Sequence, residues 1–164
     1  MKKMNNKVTI VTSLQNMERE KYDGRKWDDY LTWFRKTLQV NAPMVVFVDE
    51  TMVDFVVSAR EDKQTKIETQ NLEDIPYYFV KDKIQSILDD DSYSSKMPDS
   101  HRIECQSSLY NCIQYSKFKW MLKAAEDNPF CSDHFVWMDA GLSRFFDDLD
   151  LSRPYPGPMG LDIL

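Results

Sequence analysis

Three nearly continuous apolar runs limit what this chain can fold into. They are Val8 to Val11, broken only by Thr9; Met44-Val45-Val46-Phe47-Val48; and His134-Phe135-Val136-Trp137-Met138. A strand that is apolar on both faces must be covered on both faces. That happens when helices pack on each side of a parallel sheet. Helical patterns lie between the runs, so the expected architecture is an α/β sandwich with a mostly parallel central sheet.

The remaining segments fit that plan. Lys7 to Leu14 reads as the first buried strand, and the polar stretch Gln15 to Arg25 as a long loop. Trp27, Tyr30, Leu31, Phe34 and Leu38 share one face of a helix predicted over Trp27 to Val40. Thr51 can cap a helix from Met52 to Ala59 or Arg60, and Thr65 to Thr69 alternates as a short strand. Further helices are predicted over Pro76 to Asp89 and Ser107 to Glu126, with a loop over Asp89 to Ser100 between them. In the last helix Leu109, Cys112, Ile113, Tyr115, Phe118, Met121, Leu122 and Ala125 supply the apolar surface, and Asn128-Pro129 ends it. One domain is expected over residues 1–148, followed by an irregular Pro-containing tail over 149–164.

Composition removes several function classes. The four glycines, 24, 141, 157 and 160, cannot be arranged as a dinucleotide fingerprint or a P-loop. A formal charge of −6 argues against a general nucleic-acid surface but leaves room for a local basic cleft. Cys105, Cys112 and Cys131 lack metal spacing and read as reduced, partly buried thiols, consistent with a cytoplasmic chain. Met1-Lys2-Lys3 resembles a signal-peptide start, but the apolar run behind it is too short for a leader or a membrane span.

In a parallel sheet, ligands gather beyond the carboxyl ends of the strands. The loop from Thr12-Ser13, Asp49 and Asp139-Ala140-Gly141 are all expected there. Asp139 follows the apolar run, where a carboxylate can ligate a hard cation or simply cap the next turn. Asp49 can bind a ribose hydroxyl or cap the following helix. Lys117 shares a helical face with Ile113 and Met121, so its ammonium either snorkels to an ion pair or meets a phosphate. Arg19, Arg25, Arg60 and Arg144 lie just beyond element ends and suit bidentate phosphate contact, the alternative being solvated surface charge. His134, Tyr110, Tyr115 and Trp120 read as core residues.

Val8 to Ser13, Tyr30 to Phe34, Pro43 to Asp49, Tyr115-Ser116-Lys117-Phe118, Asn128-Pro129-Phe130 and Asp133 to Gly141 together resemble the HtrL/YibB-like family, which includes WlaTC-type proteins of bacterial surface-glycan loci. The resemblance spans about residues 7 to 147. It implies a Rossmann-like glycosyltransferase domain of the GT-A type that binds a nucleotide-sugar donor and a glycan acceptor in surface polysaccharide or lipooligosaccharide synthesis. Asp139 matches the first carboxylate of that fold's Asp-x-Asp motif, which holds Mn²⁺ or Mg²⁺ against the donor diphosphate and makes Asp139 the implied catalytic and metal residue. Gly141 stands where the second carboxylate would be. Asp147, Asp148 and His134 are the other acids and imidazole that could add a ligand. The implied donor-binding set is Thr12, Ser13, Asp49, Arg60, Lys117, Asp139, Ala140 and Gly141. Only residues 142–164 follow the motif, so most of the acceptor half is expected to be missing. The alternative reading is a non-catalytic nucleotide-sugar-binding or interaction module. Peripheral membrane association is compatible with either.

Overall fold

A computed structural model describes residues 7–156. Four strands form one parallel sheet in the order β3-β2-β1-β4. They are β1 (Val8–Leu14), β2 (Met44–Val48), β3 (Thr65–Thr69) and β4 (His134–Trp137). All seven β1 residues and all five β2 residues are buried, as double-sided apolar runs require. The three predicted apolar strands therefore stand side by side. The initial Met-Lys-Lys and residues 157–164 of the tail lie outside the described residues.

Each face of the sheet is closed by its own helices. On one face Ile10, Leu14, Met44, Val46 and Val48 pack against Phe34 and Leu38 of α2 (Trp27–Leu38) and Val56 and Ala59 of α3 (Val53–Arg60). On the other, Val11, Val45 and Phe47 pack against Cys112, Trp120 and Ala124 of α6 (Ser108–Asp127). The division follows the period of two along a strand. Trp120 sits at the centre of the second face. Its ring stacks on Phe47 at 5.6 Å and on Trp137 at 6.0 Å, and its Nε1 donates to Gln70 Oε1 at 2.7 Å.

Helix α6 departs from the expected apolar surface. Its buried stripe is Cys112, Ser116, Trp120 and Ala124, four residues apart, while Tyr115, Phe118, Leu122 and Ala125 face outward. Ser116 fits that stripe because its hydroxyl donates to Cys112 O at 2.7 Å and accepts from Tyr77 N at 3.2 Å. Ser107 caps the helix, accepting from Tyr110 N, and Asn128 ends it with φ 35°. Tyr115 is therefore not a core residue, whereas Trp120 is. His134 is half-buried. Of the cysteines, Cys112 is buried, Cys105 half-buried and Cys131 exposed, the last a departure from the partly buried expectation.

The two expected loops each contain one short helical turn, α1 (Glu20–Asp23) and α5 (Asp91–Ser94). The helix expected from Pro76 begins only at Lys81, as α4 (Lys81–Leu88), after a 3₁₀ turn over Tyr78–Val80. The tail's first residues are not free of the fold. Leu151 packs on the first core cluster, Asn41 bridges Pro154, and Tyr155 N donates to Asn41 O at 3.0 Å.

Arg60 is the largest correction to the expected donor-binding set. It is 1% exposed and lies at the amino edge of the sheet. Its guanidinium donates to the carbonyls of Leu38, Val40, Ala42 and Gln64 at 2.7 to 3.0 Å and to Thr65 Oγ1 at 2.8 Å. The cause is topological. A helix following a parallel strand runs back along it, so the last residue of α3 returns to the edge opposite the ligand crevice. Burial pushes the guanidinium down to about 10, so it stays charged at neutral pH. Four of its five donors satisfy backbone carbonyls where α2 passes into β2 and α3 into β3. Arg60→Met keeps the stem but strands these carbonyls. It is expected to cost about 3 kcal/mol of stability in equilibrium denaturation without altering any ligand affinity of the folded protein.

Candidate functional site

The chain order places a crevice at one position. From β1 the chain moves outward through β2 to β3, and then returns to add β4 on the other side of β1. The connections leaving β1 and β4 therefore diverge, which opens a gap beyond their carboxyl ends. A cavity of about 560 Å³ occupies that gap. Its floor is Ser13, Leu14 and Gln15 from the end of β1, and Trp137, Asp139, Ala140 and Gly141 from the end of β4. The N-terminal part of α2 contributes Trp27 and Tyr30, and the N-terminal half of α6 contributes Tyr110, Ile113, Gln114 and Lys117. Both helices run antiparallel to their neighbouring strands, which brings their early turns to the carboxyl edge.

Asp139 is the focus of the cavity. Its Oδ1 accepts from Lys117 Nζ at 2.6 Å and from Trp137 Nε1 at 2.8 Å. Lys117 Nζ also lies 5.3 Å from the centroid of the Trp137 ring. The Asp139 side chain is 60% exposed and that of Lys117 20%. Burial by itself would raise the carboxyl, but the Lys117 and Trp137 hydrogen bonds, with the charges of Lys117 and Arg144, prevail and hold it below the usual carboxylate range. It is therefore ionised at neutral pH. No hydrogen bond reaches Oδ2 among the described residues, which leaves that oxygen to a ligand.

The segment after Asp139 is clamped to α2. Thr37 Oγ1 donates to Ala140 O at 2.9 Å, Ser143 Oγ to Trp33 O at 2.6 Å and Lys36 Nζ to Phe146 O at 2.8 Å. These bonds hold Arg144 at the cavity wall, with its guanidinium 5.5 Å from the Trp33 ring and 4.7 Å from the Phe145 ring. Arg144 has no carboxylate within 4.0 Å among the described residues. Arg19 and Arg25 share Asp23, at 2.7 and 3.5 Å. The neighbouring Tyr30 hydroxyl raises the already high pKa of Arg25. Arg19 stacks 5.0 Å over Tyr110, whose hydroxyl burial pushes up. The lining carries Arg19, Lys21, Arg25, Lys117 and Arg144 against Glu18, Glu20 and Asp139. It is basic on balance, in a chain of formal charge −6.

The expected residues divide clearly. Ser13, Lys117, Asp139, Ala140 and Gly141 line one cavity, and Arg19, Arg25 and Arg144 join them. Thr12 does not line it. It is fully buried beneath, with Oγ1 lacking a hydrogen-bond partner. Asp49 does not line it either, because its Oδ1 accepts from Thr51 N at 2.9 Å and Thr51 Oγ1 at 2.7 Å, which also lowers its pKa. Asp49 caps the turn after β2, one strand away from the crevice. Arg60 lies at the opposite edge. Gln15 was missed by sequence reasoning, as was the aromatic wall of Trp27, Tyr30, Tyr110 and Trp137. Ser13 and Gln15 are 9% and 7% exposed, and Ser13 Oγ and Gln15 Nε2 have no partner among the described residues. Buried polar groups are seldom left so, and both residues belong to the lining of the cavity.

The donor set does not by itself make a divalent-cation site. It offers one carboxylate, and an ammonium already sits 2.6 Å from one of its oxygens. No three His, Cys, Asp or Glu side chains gather at one point among the described residues. His134, Asp147 and Asp148 do not line the cavity. No described helix is long and apolar enough to cross a membrane.

The Lys117–Asp139 pair is largely open to solvent on the Asp139 side, so its contribution to folding is small. Asp139→Asn is expected to lower stability by no more than about 1 kcal/mol. Because the native carboxyl lies below its unfolded value, the stabilisation is full above about pH 4 and is lost as pH falls through the native value. The parent should therefore lose more stability than Asp139→Asn between pH 5 and pH 2, as measured by urea denaturation at each pH.

No curated protein and no solved structure matches the chain. A family model described as "Bacterial protein of unknown function (HtrL_YibB)" matches residues 6–150. That span covers the sheet, every helix among the described residues and the complete lining of the cavity. The chain belongs to the HtrL_YibB family.

Proposed function

We propose that the cavity binds a nucleotide-sugar donor and that the fold is a GT-A-type glycosyltransferase domain acting in bacterial surface polysaccharide or lipooligosaccharide synthesis. One observation carries this reading: an ionised carboxylate with one free oxygen, Asp139, is held by Lys117 and Trp137 in a basic cavity at the point where the strand order reverses. That position suits the diphosphate of a nucleotide ligand. The floor donors Ser13 and Gln15 and the flanking aromatic rings suit the sugar or nucleoside on either side.

In the proposed reaction an acceptor hydroxyl oxygen bonds to the anomeric carbon of the donor sugar. The bond from that carbon to the diphosphate oxygen breaks, and the nucleoside diphosphate leaves with the electron pair. The hydroxyl proton passes to the free Oδ2 of Asp139. Lys117 and Arg144 stabilise the charge that develops on the departing diphosphate. Gly141 in place of a second carboxylate favours the alternative, a module that binds the donor without transferring it. Glycan acceptor, cytoplasmic location and peripheral membrane attachment belong to the same proposal.

Thermal unfolding in the presence of nucleoside diphosphates and nucleotide-sugars tests the reading. A ligand at 100 times its dissociation constant should add about 2.7 kcal/mol of stability. Lys117→Met should abolish most of that gain while leaving the unliganded melting temperature within a few degrees of the parent. A panel in which no nucleotide shifts the parent would overturn the proposal. Release of free nucleoside diphosphate on adding acceptor separates the transferase from the binding module.

A further inference from the structure

Resting on the donor-site reading above, we infer that Arg144, together with Lys117, holds the donor diphosphate directly, so that binding requires no divalent cation. A cation bridging protein and diphosphate keeps waters and phosphate oxygens as ligands and takes one or two carboxylates from the protein. Asp139 offers one free oxygen, and the other already faces the Lys117 ammonium at 2.6 Å. A divalent ion at this carboxylate would sit beside that ammonium and lose much of its attraction.

The positive charge such an ion supplies is already present on side chains. Arg144 is held between the Trp33 and Phe145 rings, which fixes its planar fork without neutralising it. Lys117 has a single acidic partner, which a doubly charged diphosphate can replace.

Gly141 supplies the discriminating variant. A Cβ built there lies 3.5 Å from Trp33 Cε3, 3.7 Å from Tyr30 Cε1 and 3.8 Å from Arg144 Nη1, all ordinary contacts, and its φ of −89° admits any residue. Gly141→Asp therefore restores a second carboxylate where one could complete a metal site, and places it beside Arg144.

The test is calorimetric titration of the full chain with UDP, GDP, ADP, CDP and dTDP, each in EDTA and in excess Mn²⁺, followed by the variants with the tightest binder. The expected result is binding in EDTA with an affinity within about twofold of that in Mn²⁺. Arg144→Gln and Lys117→Met should each weaken it about tenfold or more, as loss of a charge-assisted contact does. Gly141→Asp should also weaken it, by pairing with Arg144, and all three variants should keep the parent's melting temperature within a few degrees. Binding that vanishes in EDTA and returns with Mn²⁺, or that Gly141→Asp tightens in Mn²⁺, overturns this inference and leaves the donor site standing. A parent that binds none of the five in either condition overturns both.

Discussion

Everything in this structure depends on burying β1 from both sides and both faces at once. Ile10 to Leu14 pair with β2 along one edge and Val8 to Val11 with β4 along the other, while helices cover each face. A parallel strand in that position cannot use short hairpin connections, so each neighbour must arrive by a crossover. The crossovers supply α2, α3 and α6, and their directions set which helix ends meet the carboxyl edge. Because β2 and β4 lie on opposite sides of β1, the connections part above it. The cavity is a consequence of that strand order rather than of any single loop.

The cavity is then specialised by charge. An overall acidic chain concentrates basic side chains at one edge of its sheet, where field lines from Lys117 and Arg144 are focused by apolar walls. Asp139 sits among them as the one acid tied directly to the cavity floor. Its two donors come from different elements, Lys117 from α6 and Trp137 from β4. The same Trp137 stacks on Trp120, which anchors α6 to the sheet. The polar triangle is therefore braced by the second hydrophobic core, and its geometry is set before any ligand arrives.

Local pattern and folded position agreed for the apolar strands and for Lys117, but not for Tyr115, Phe118, Leu122 and Ala125 of α6, which face outward. The apolar runs predicted strands, and strands formed. Lys117 between Ile113 and Met121 had to find an anion or snorkel, and it found Asp139. Asp49 showed the limit of that reasoning, since an acid after a buried strand is equally suited to a ligand and to a cap, and Thr51 decided for the cap. Arg60 showed it more sharply. An arginine just past a helix end looks free, yet the direction of α3 carried it to the far edge of the sheet and buried it among carbonyls. Gln15 gave no signal at all, because an amide after a strand is common and only the absence of a partner in the folded chain marks it.

Hydrophobic patterning in the chain alone determined the α/β class, the parallel sheet, the identity of its strands and the edge at which an acid would stand. These follow from short-range rules: the period of two in a strand, the period of 3.6 in a helix and the need to cover a strand that is apolar on both faces. Strand order, by contrast, was decided only by the tertiary structure. With it came the position of the crevice between β1 and β4, the meeting of Lys117 with Asp139 across 22 residues, and the clamping of residues 140–146 onto α2. Those outcomes depend on which side of β1 the fourth strand joins. Side-chain polarity along one strand is the same for either choice, so that information resides in the packing of distant segments.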